Sequence, residues 1–132
     1  MSDEKIYSAY ETTRTSFRPA IRARQQMVVS GHNLATQAAM RILDRGGNAV
    51  DAGAAAGLSL AVLQSDMVNF AGVAPIMIHM AATGETTTID GLGVWPEKAD
   101  VEYFKTHHGG EIPETIHRCI VPGAPCGWIR AL

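Results

Sequence analysis

Residues 33–52, NLATQAAMRILDRGGNAVDA, decide the fold. Asn33 has the chemistry of a helix N-cap, since its side-chain oxygen can accept from an orphan amide of the next turn. Leu34, Ala35, Ala38, Ala39, Ile42 and Leu43 then recur at helical spacing, with Thr36, Gln37, Arg41, Asp44 and Arg45 opposite. Arg41 and Arg45 suit the negative end of the macrodipole. Gly46 and Gly47 offer the positive φ that stops such a helix. One helix, buried along a single stripe, is expected here.

Asn48 then offers a second cap, with Asp51 as the only charge in the turn that follows. From Ala52 to Leu63 there is no further charge, and alanine, glycine and leucine dominate. A helix that is apolar all round is expected to be buried all round. Its small residues allow close backbone packing, which implies a layered α/β or α+β body.

Working outward, residues 27–30 (MVVS) read as a short β-type run ended by Gly31. Residues 1–24 are polar and aperiodic and form the first expected unit, a lead-in made locally basic by Arg14, Arg18, Arg22 and Arg24. Residues 25–132 form the second. Residues 64–74 read as a loop, and residues 76–80 and 85–90 as a hairpin around a Thr83-Gly84 turn, with Thr86, Thr87 and Thr88 supplying β-branched side chains. After the loop at residues 91–96, Pro96 can open a helix at its first position, stopping before Gly109-Gly110. Residues 126–132 start another apolar helix in which the sequence stops, so the chain reads as a fragment.

The chain has 132 residues, 46% hydrophobic and 18% charged, enough for one globular domain. A net charge of -2 gives no electrostatic case for nucleic acid or an anionic membrane. The apolar run at residues 52–63 falls well short of a membrane span. Residues 1–24 hold Asp3, Glu4, Lys5 and the arginines with no apolar core, so no secretory signal is read and a cytoplasmic location is expected. Cys119 and Cys126 are too few for a disulfide framework and fit no common metal spacing; two reduced, structural thiols are expected.

Residue chemistry by itself names no reaction. Gly91-Leu92-Gly93 lacks the third glycine and the Lys-Ser/Thr of a phosphate loop. His107 and His108 are adjacent, point apart, and read as a solvated helix end rather than metal ligands. His32 reads as a structural cap and His79 as a polar-face strand residue. Ser30, Ser59 and Ser65 lie in no nucleophile elbow, and Thr86 to Thr88 are explained by strand propensity. No metal or organic cofactor is called for.

A family resemblance adds what the chemistry leaves open. The run Ser30-Gly31-His32, Leu34-Ala35, Ile42-Leu43 and Gly46-Gly47-Asn48-Ala49-Val50-Asp51-Ala52 resembles the SxHPLAS…ILxxGGNAVDA opening of γ-glutamyltranspeptidases. The hairpin at residues 76–90 agrees in order and spacing. So does Val121-Pro122-Gly123 leading to Gly127-Trp128, similar to the family's VPGxxxGW. The resemblance covers about residues 27–132, the front part of the family's large subunit. It implies an α+β N-terminal-nucleophile hydrolase with an αββα four-layer sandwich, only its N-terminal part lying in this chain. In such enzymes a precursor cleaves itself, and the new N-terminal threonine of the small subunit is acylated by an amide substrate. No catalytic residue is then expected in these 132 residues, and the piece alone should be inactive. The implied partners are the remainder of the large subunit, a small subunit carrying the nucleophile, and a small-molecule amide.

Two departures bear on the substrate. Where the family has a GIGGGG run, this chain has Asn69-Phe70-Ala71-Gly72-Val73-Ala74. Where it has DxRExAP, this chain has Asp90-Gly91-Leu92-Gly93-Val94-Trp95-Pro96. The family's carboxylate-gripping arginine falls on Leu92 and its neighbouring glutamate on Gly93. Replacing a bidentate cation with leucine removes what makes a free carboxylate welcome. Leu92, Gly93 and Trp95 are the expected substrate-side residues, and a less charged amide is the expected substrate. The alternatives are a true γ-glutamyl transferase or hydrolase using another cation, and an inactive fragment or scaffold subunit.

Overall fold

A computed structural model describes residues 20–132. Most of the expected 1–24 lead-in lies outside the described residues; residues 20–24 hold no helix or strand. Helix α1 (Asn33–Asp44) is followed by α2 (Ala49–Leu63), strands β1 (Ile76–Met80) and β2 (Glu85–Ile89), α3 (Val101–His108), a 3-10 turn (Ile116–Arg118) and α4 (Ala124–Ala131). The mixture is α+β, a partial layer set made of a helical pair and one hairpin.

The cap of α1 lies one residue earlier than the sequence suggests. His32 is extended and its Nδ1 accepts from the Leu34 N–H at 3.2 Å, while Asn33 becomes the first helical residue. The Asn33 Oδ1 still accepts from the same amide at 2.9 Å. At the other end the Gly47 N–H donates to the Ile42 carbonyl and the Gly46 N–H to the Leu43 carbonyl, both at 3.0 Å. That is a Schellman closure, and Gly46 with φ +89° supplies its left-handed residue; Gly47 does not share the positive φ. Ala35 and Ala39 are fully buried, but Leu34 is half exposed, so the buried stripe is narrower than the pattern implies.

Helix α2 opens with a reciprocal capping box. The Asn48 Oδ1 accepts from the Val50 and Asp51 amides at 2.7 and 3.1 Å, and the Asp51 Oδ2 accepts from the Asn48 N–H at 2.9 Å. The sequence GGNAVDA is therefore a helix stop joined directly to a helix start. Within the described residues α2 is covered only in part, as expected of a chain that supplies only part of its cover. Ala52 and Ala54 are buried, whereas Val62 is 81% exposed and Leu58 is also exposed. Helix α2 packs on both α1 and α4, with Ala54 meeting Ala124 and Trp128 of the latter, and Leu58 and Val62 face outward.

The core joins α2 to α4. Ala54, Ala124 and Trp128 are buried together, with Ala61, Ala74 and Ile76 against them. The indole lies so close to α2 that a Cβ on Gly57 would come within 2.6 Å of its Nε1. The two strands pair antiparallel in the register Ile76↔Ile89 to Met80↔Glu85. Ile76, Ile78 and Ile89 are half-buried, while Met77, His79, Thr86 and Thr88 are exposed on the other face. The His79 Nδ1 lies 2.9 Å from the Thr86 Oγ1, as suits a polar-face strand histidine.

Other expectations change. Residues 27–30 form no strand: exposed and half-buried positions alternate as in extended backbone, but no described strand pairs with them. Helix α3 starts at Val101, because Pro96 makes a turn (Ala99 N–H to Pro96 carbonyl, 2.8 Å) and the Asp100 carboxylate caps the helix. Helix α4 starts at Ala124, two residues early, with Pro125 in its first turn. Cys119 and Cys126 are free thiols, both exposed and so not packing residues. His107 is exposed and stacks on Tyr103, but His108 is half-buried, 5.3 Å from the His117 ring, with its Nε2 enclosed and unpartnered. No described helix is long and apolar enough to cross a membrane.

Candidate functional site

The loop at residues 91–95 follows β2 and is tied to two distant segments. The Gly91 carbonyl accepts from the Ala74 N–H at 2.8 Å, just before β1. The Val94 carbonyl accepts from the Val121 N–H at 2.8 Å, just before α4, forming an isolated antiparallel bridge. The Gly72 carbonyl accepts from the Gly123 and Ala124 amides at 3.3 and 3.1 Å, joining the two outer segments to each other.

Leu92, Gly93 and Trp95 all lie on this loop, and the structure does not bring them to one cleft. Leu92 and Trp95 are each about half exposed, at 46% and 47%. Gly93 borders an open cleft of about 550 Å³ together with Thr88, Asp90, Val94, Cys126 and Arg130. Trp95 borders a different groove beside Glu111, Ile112 and Arg118. Leu92 lines neither.

Sequence reasoning missed the charges at this cleft. Asp90 and Arg130 both line it, and Arg130 forms no ion pair among the described residues. No local pattern points to Arg130, because it reaches the cleft only through the docking of α4. Arg118 differs: it bridges to Glu114 at 3.2 Å and donates to the Ile112 carbonyl from Nε and Nη2. On the opposite side of α4, a second cleft of about 450 Å³ runs between the start of α2 and β1, lined by Asn48, Gly53, Ile76, Met77, His79 and Trp128. Among the described residues no three side chains of ligand type converge to hold a metal ion.

An arrangement of this kind can bind and orient a small molecule along the loop. Two hydroxyl–imidazole pairs occur among the described residues, Thr86 with His79 at 2.9 Å and Thr115 with His117 at 2.8 Å, and neither borders the cleft at Gly93. Comparison with known proteins places the chain. A family model described as gamma-glutamyltranspeptidase matches residues 35–132. The chain is 54% identical over 108 residues to the glutathione hydrolase-like YwrD proenzyme of Bacillus subtilis, covering 82% of this chain and 21% of that protein. It is 39% identical over 128 residues to the glutathione hydrolase proenzyme of Escherichia coli, covering 94% of this chain and 22% of that one. The crystal structure of Helicobacter pylori gamma-glutamyltranspeptidase superposes with a TM-score of 0.72 at 30% identity, over 83% of this chain and 32% of that chain. The chain thus spans about a fifth of the length of the curated relatives it matches. It belongs to the gamma-glutamyltranspeptidase family.

Proposed function

We propose that this chain is the front part of the large subunit of an N-terminal-nucleophile amidohydrolase whose preferred substrate is an amide without a free γ-glutamyl α-carboxylate. The nucleophile in this reading is an N-terminal threonine outside these residues, its own α-amine serving as base. The threonine oxygen attacks the amide carbonyl, the amine leaves, and water or an amine acceptor takes the acyl group from the ester. The remainder of the large subunit and a small subunit supply that machinery. They also cover the outward side of α2, where Leu58 and Val62 are exposed.

One observation carries the substrate reading: leucine stands at position 92 and glycine at 93, where the resemblance puts a gripping arginine and its glutamate. Leu92 is 46% exposed on a loop tied down at both ends, which supports reading it as an apolar side chain standing in for that cation. A bidentate pair with a carboxylate contributes about 1.5–3 kcal/mol, so its loss lowers γ-glutamyl affinity by roughly tenfold or more. The test is Leu92→Arg in the processed full-length enzyme, assayed on a γ-glutamyl anilide and on a simple acyl anilide. Turnover of the γ-glutamyl substrate should rise by about tenfold, in line with one regained charge-assisted pair; no rise at all would refute the reading of Leu92 as a substrate-side residue.

A second reading, a true γ-glutamyl enzyme with another cation, draws on Arg130, which borders the same cleft as Gly93 without an ion pair among the described residues. Arg130→Ala separates the two. It should leave the simple amide and the γ-glutamyl anilide equally affected under the first reading, and selectively abolish γ-glutamyl turnover under the second.

A further inference from the structure

Leu92 is seated by backbone contacts on both sides. Gly91 and Gly93 have φ of +56° and +84°, a region in which an L side chain is strained. A Cβ on Gly91 would overlap the Ala74 carbonyl oxygen. One on Gly93 would overlap the Val121 carbonyl oxygen and lie 3.0 Å from the Gly123 nitrogen. The contact is reciprocal: a Cβ on Gly123 would overlap the Gly93 nitrogen and lie 2.6 Å from the Gly91 oxygen. Every one of these obstacles is a backbone atom, so none can swing aside as a side-chain tip would. Hydrogen bonds from Ala74 to Gly91 and from Val121 to Val94 fix the same loop from either end.

We propose that Gly93 and Gly123 are positioning residues that hold the loop at residues 91–95 as a preformed platform, so that its backbone path helps set substrate selectivity. The proposal rests on the reading of Leu92 as a substrate-side residue. The path leaves no room for a side chain at position 93, so no carboxylate can project there, while Leu92 is held at a fixed angle between two left-handed residues. Selectivity thus depends on two contributions, an apolar side chain and a backbone that refuses a second polar one.

The experiment uses the processed full-length enzyme with Gly93→Ala, Gly123→Ala and, as a control, Gly84→Ala. Gly84 has a similar φ of +70°, but open space surrounds it, so the substitution brings backbone strain without loop displacement. Gly93→Ala and Gly123→Ala should raise KM for the preferred amide by about tenfold or more and shift its preference over a γ-glutamyl anilide, since ångström misplacement costs that much. Saturated kcat should stay within about threefold, and Gly84→Ala should leave KM and preference within about twofold. In the unaltered enzyme the Ala74 and Val121 amides should exchange hydrogen slowly with no ligand, and no more slowly with a substrate-competitive inhibitor bound. Unchanged KM and preference in both loop variants would overturn the proposal. Amides that exchange freely until the inhibitor binds would overturn it too, and that result is readable even if both variants fail to fold. Leu92→Ala distinguishes the two ideas. An unaltered amide profile in that variant defeats the substrate-side reading itself, while an altered profile beside an inert Gly93→Ala defeats only the positioning role.

Discussion

The helical pair α1–α2 and the corner where the 91–95 loop meets α4 are both closed by backbone hydrogen bonds, but over different sequence distances. In the pair, His32 caps through Leu34, the glycine stop reaches back to Ile42 and Leu43, and Asn48 and Asp51 cap each other's turn. At the corner, Gly91 meets Ala74, Val94 meets Val121, and Gly72 meets Gly123 and Ala124. The first set forms as soon as a few neighbouring residues adopt their dihedrals, so each bond costs little chain entropy to close. The second forms only when three distant segments arrive together. The pair therefore serves as scaffold, and the corner reports whether the fold has closed around the loop.

Trp128 joins the two regions, and its removal should break the comparison most severely. It is 6% exposed, shares the core with Ala54 and Ala124, and has Ile76 of the hairpin against it. Trp128→Ala should cost about 3–5 kcal/mol, read as a drop in denaturation midpoint of the full-length enzyme. Since α4 carries Gly123 at its start, the variant should also release the Val121 amide to rapid exchange. Protection retained there would show that the corner closes without the core. Gly57→Ala approaches the same contact from α2 and should have a smaller effect. The substitution gains about 1 kcal/mol of helix propensity, but its Cβ would lie 2.6 Å from the rigid indole. Overpacking of about 1–3 kcal/mol outweighs that gain, so the midpoint should fall rather than rise.

The same difference in distance explains which features were legible in the sequence. The two helices, the Schellman stop, the capping box and the hairpin all rest on interactions between near neighbours, and each was readable from residue type. The errors arise where a distant partner decides. Residues 27–30 have strand chemistry, yet no described strand pairs with them. Helix starts are the exception, local competitions in which His32 rather than Asn33 caps α1 and Asp100 rather than Pro96 opens α3. At the candidate site, the departure at Leu92 stood out against the family motif, but the fit of Gly93 against Gly123 had no sequence signal. Glycine carries no side chain to suggest what it touches, and 29 intervening residues separate the two.

The capping box of α2 should give the smallest effect and the sharpest contrast. Asn48→Ala removes an acceptor from the Val50 and Asp51 amides, which should cost about 1 kcal/mol. Asp51→Ala removes the acceptor for the Asn48 amide and a favourable charge at the helix start, together about 0.5–1 kcal/mol. All three hydrogen bonds run from a backbone amide to a side chain, so neither substitution deletes the other's partner. The two losses should therefore add, with a coupling below about 0.5 kcal/mol in a double-mutant cycle. A larger coupling would mean that the first turn of α2 frays as a unit and depends on both bonds together. Neither variant should move the preference between amides, because the cap makes only local contacts and none of its hydrogen bonds reaches the loop. A preference that shifted with Asn48→Ala would erase the division between scaffold and corner, because a purely local cap would then be setting the geometry of a remote loop.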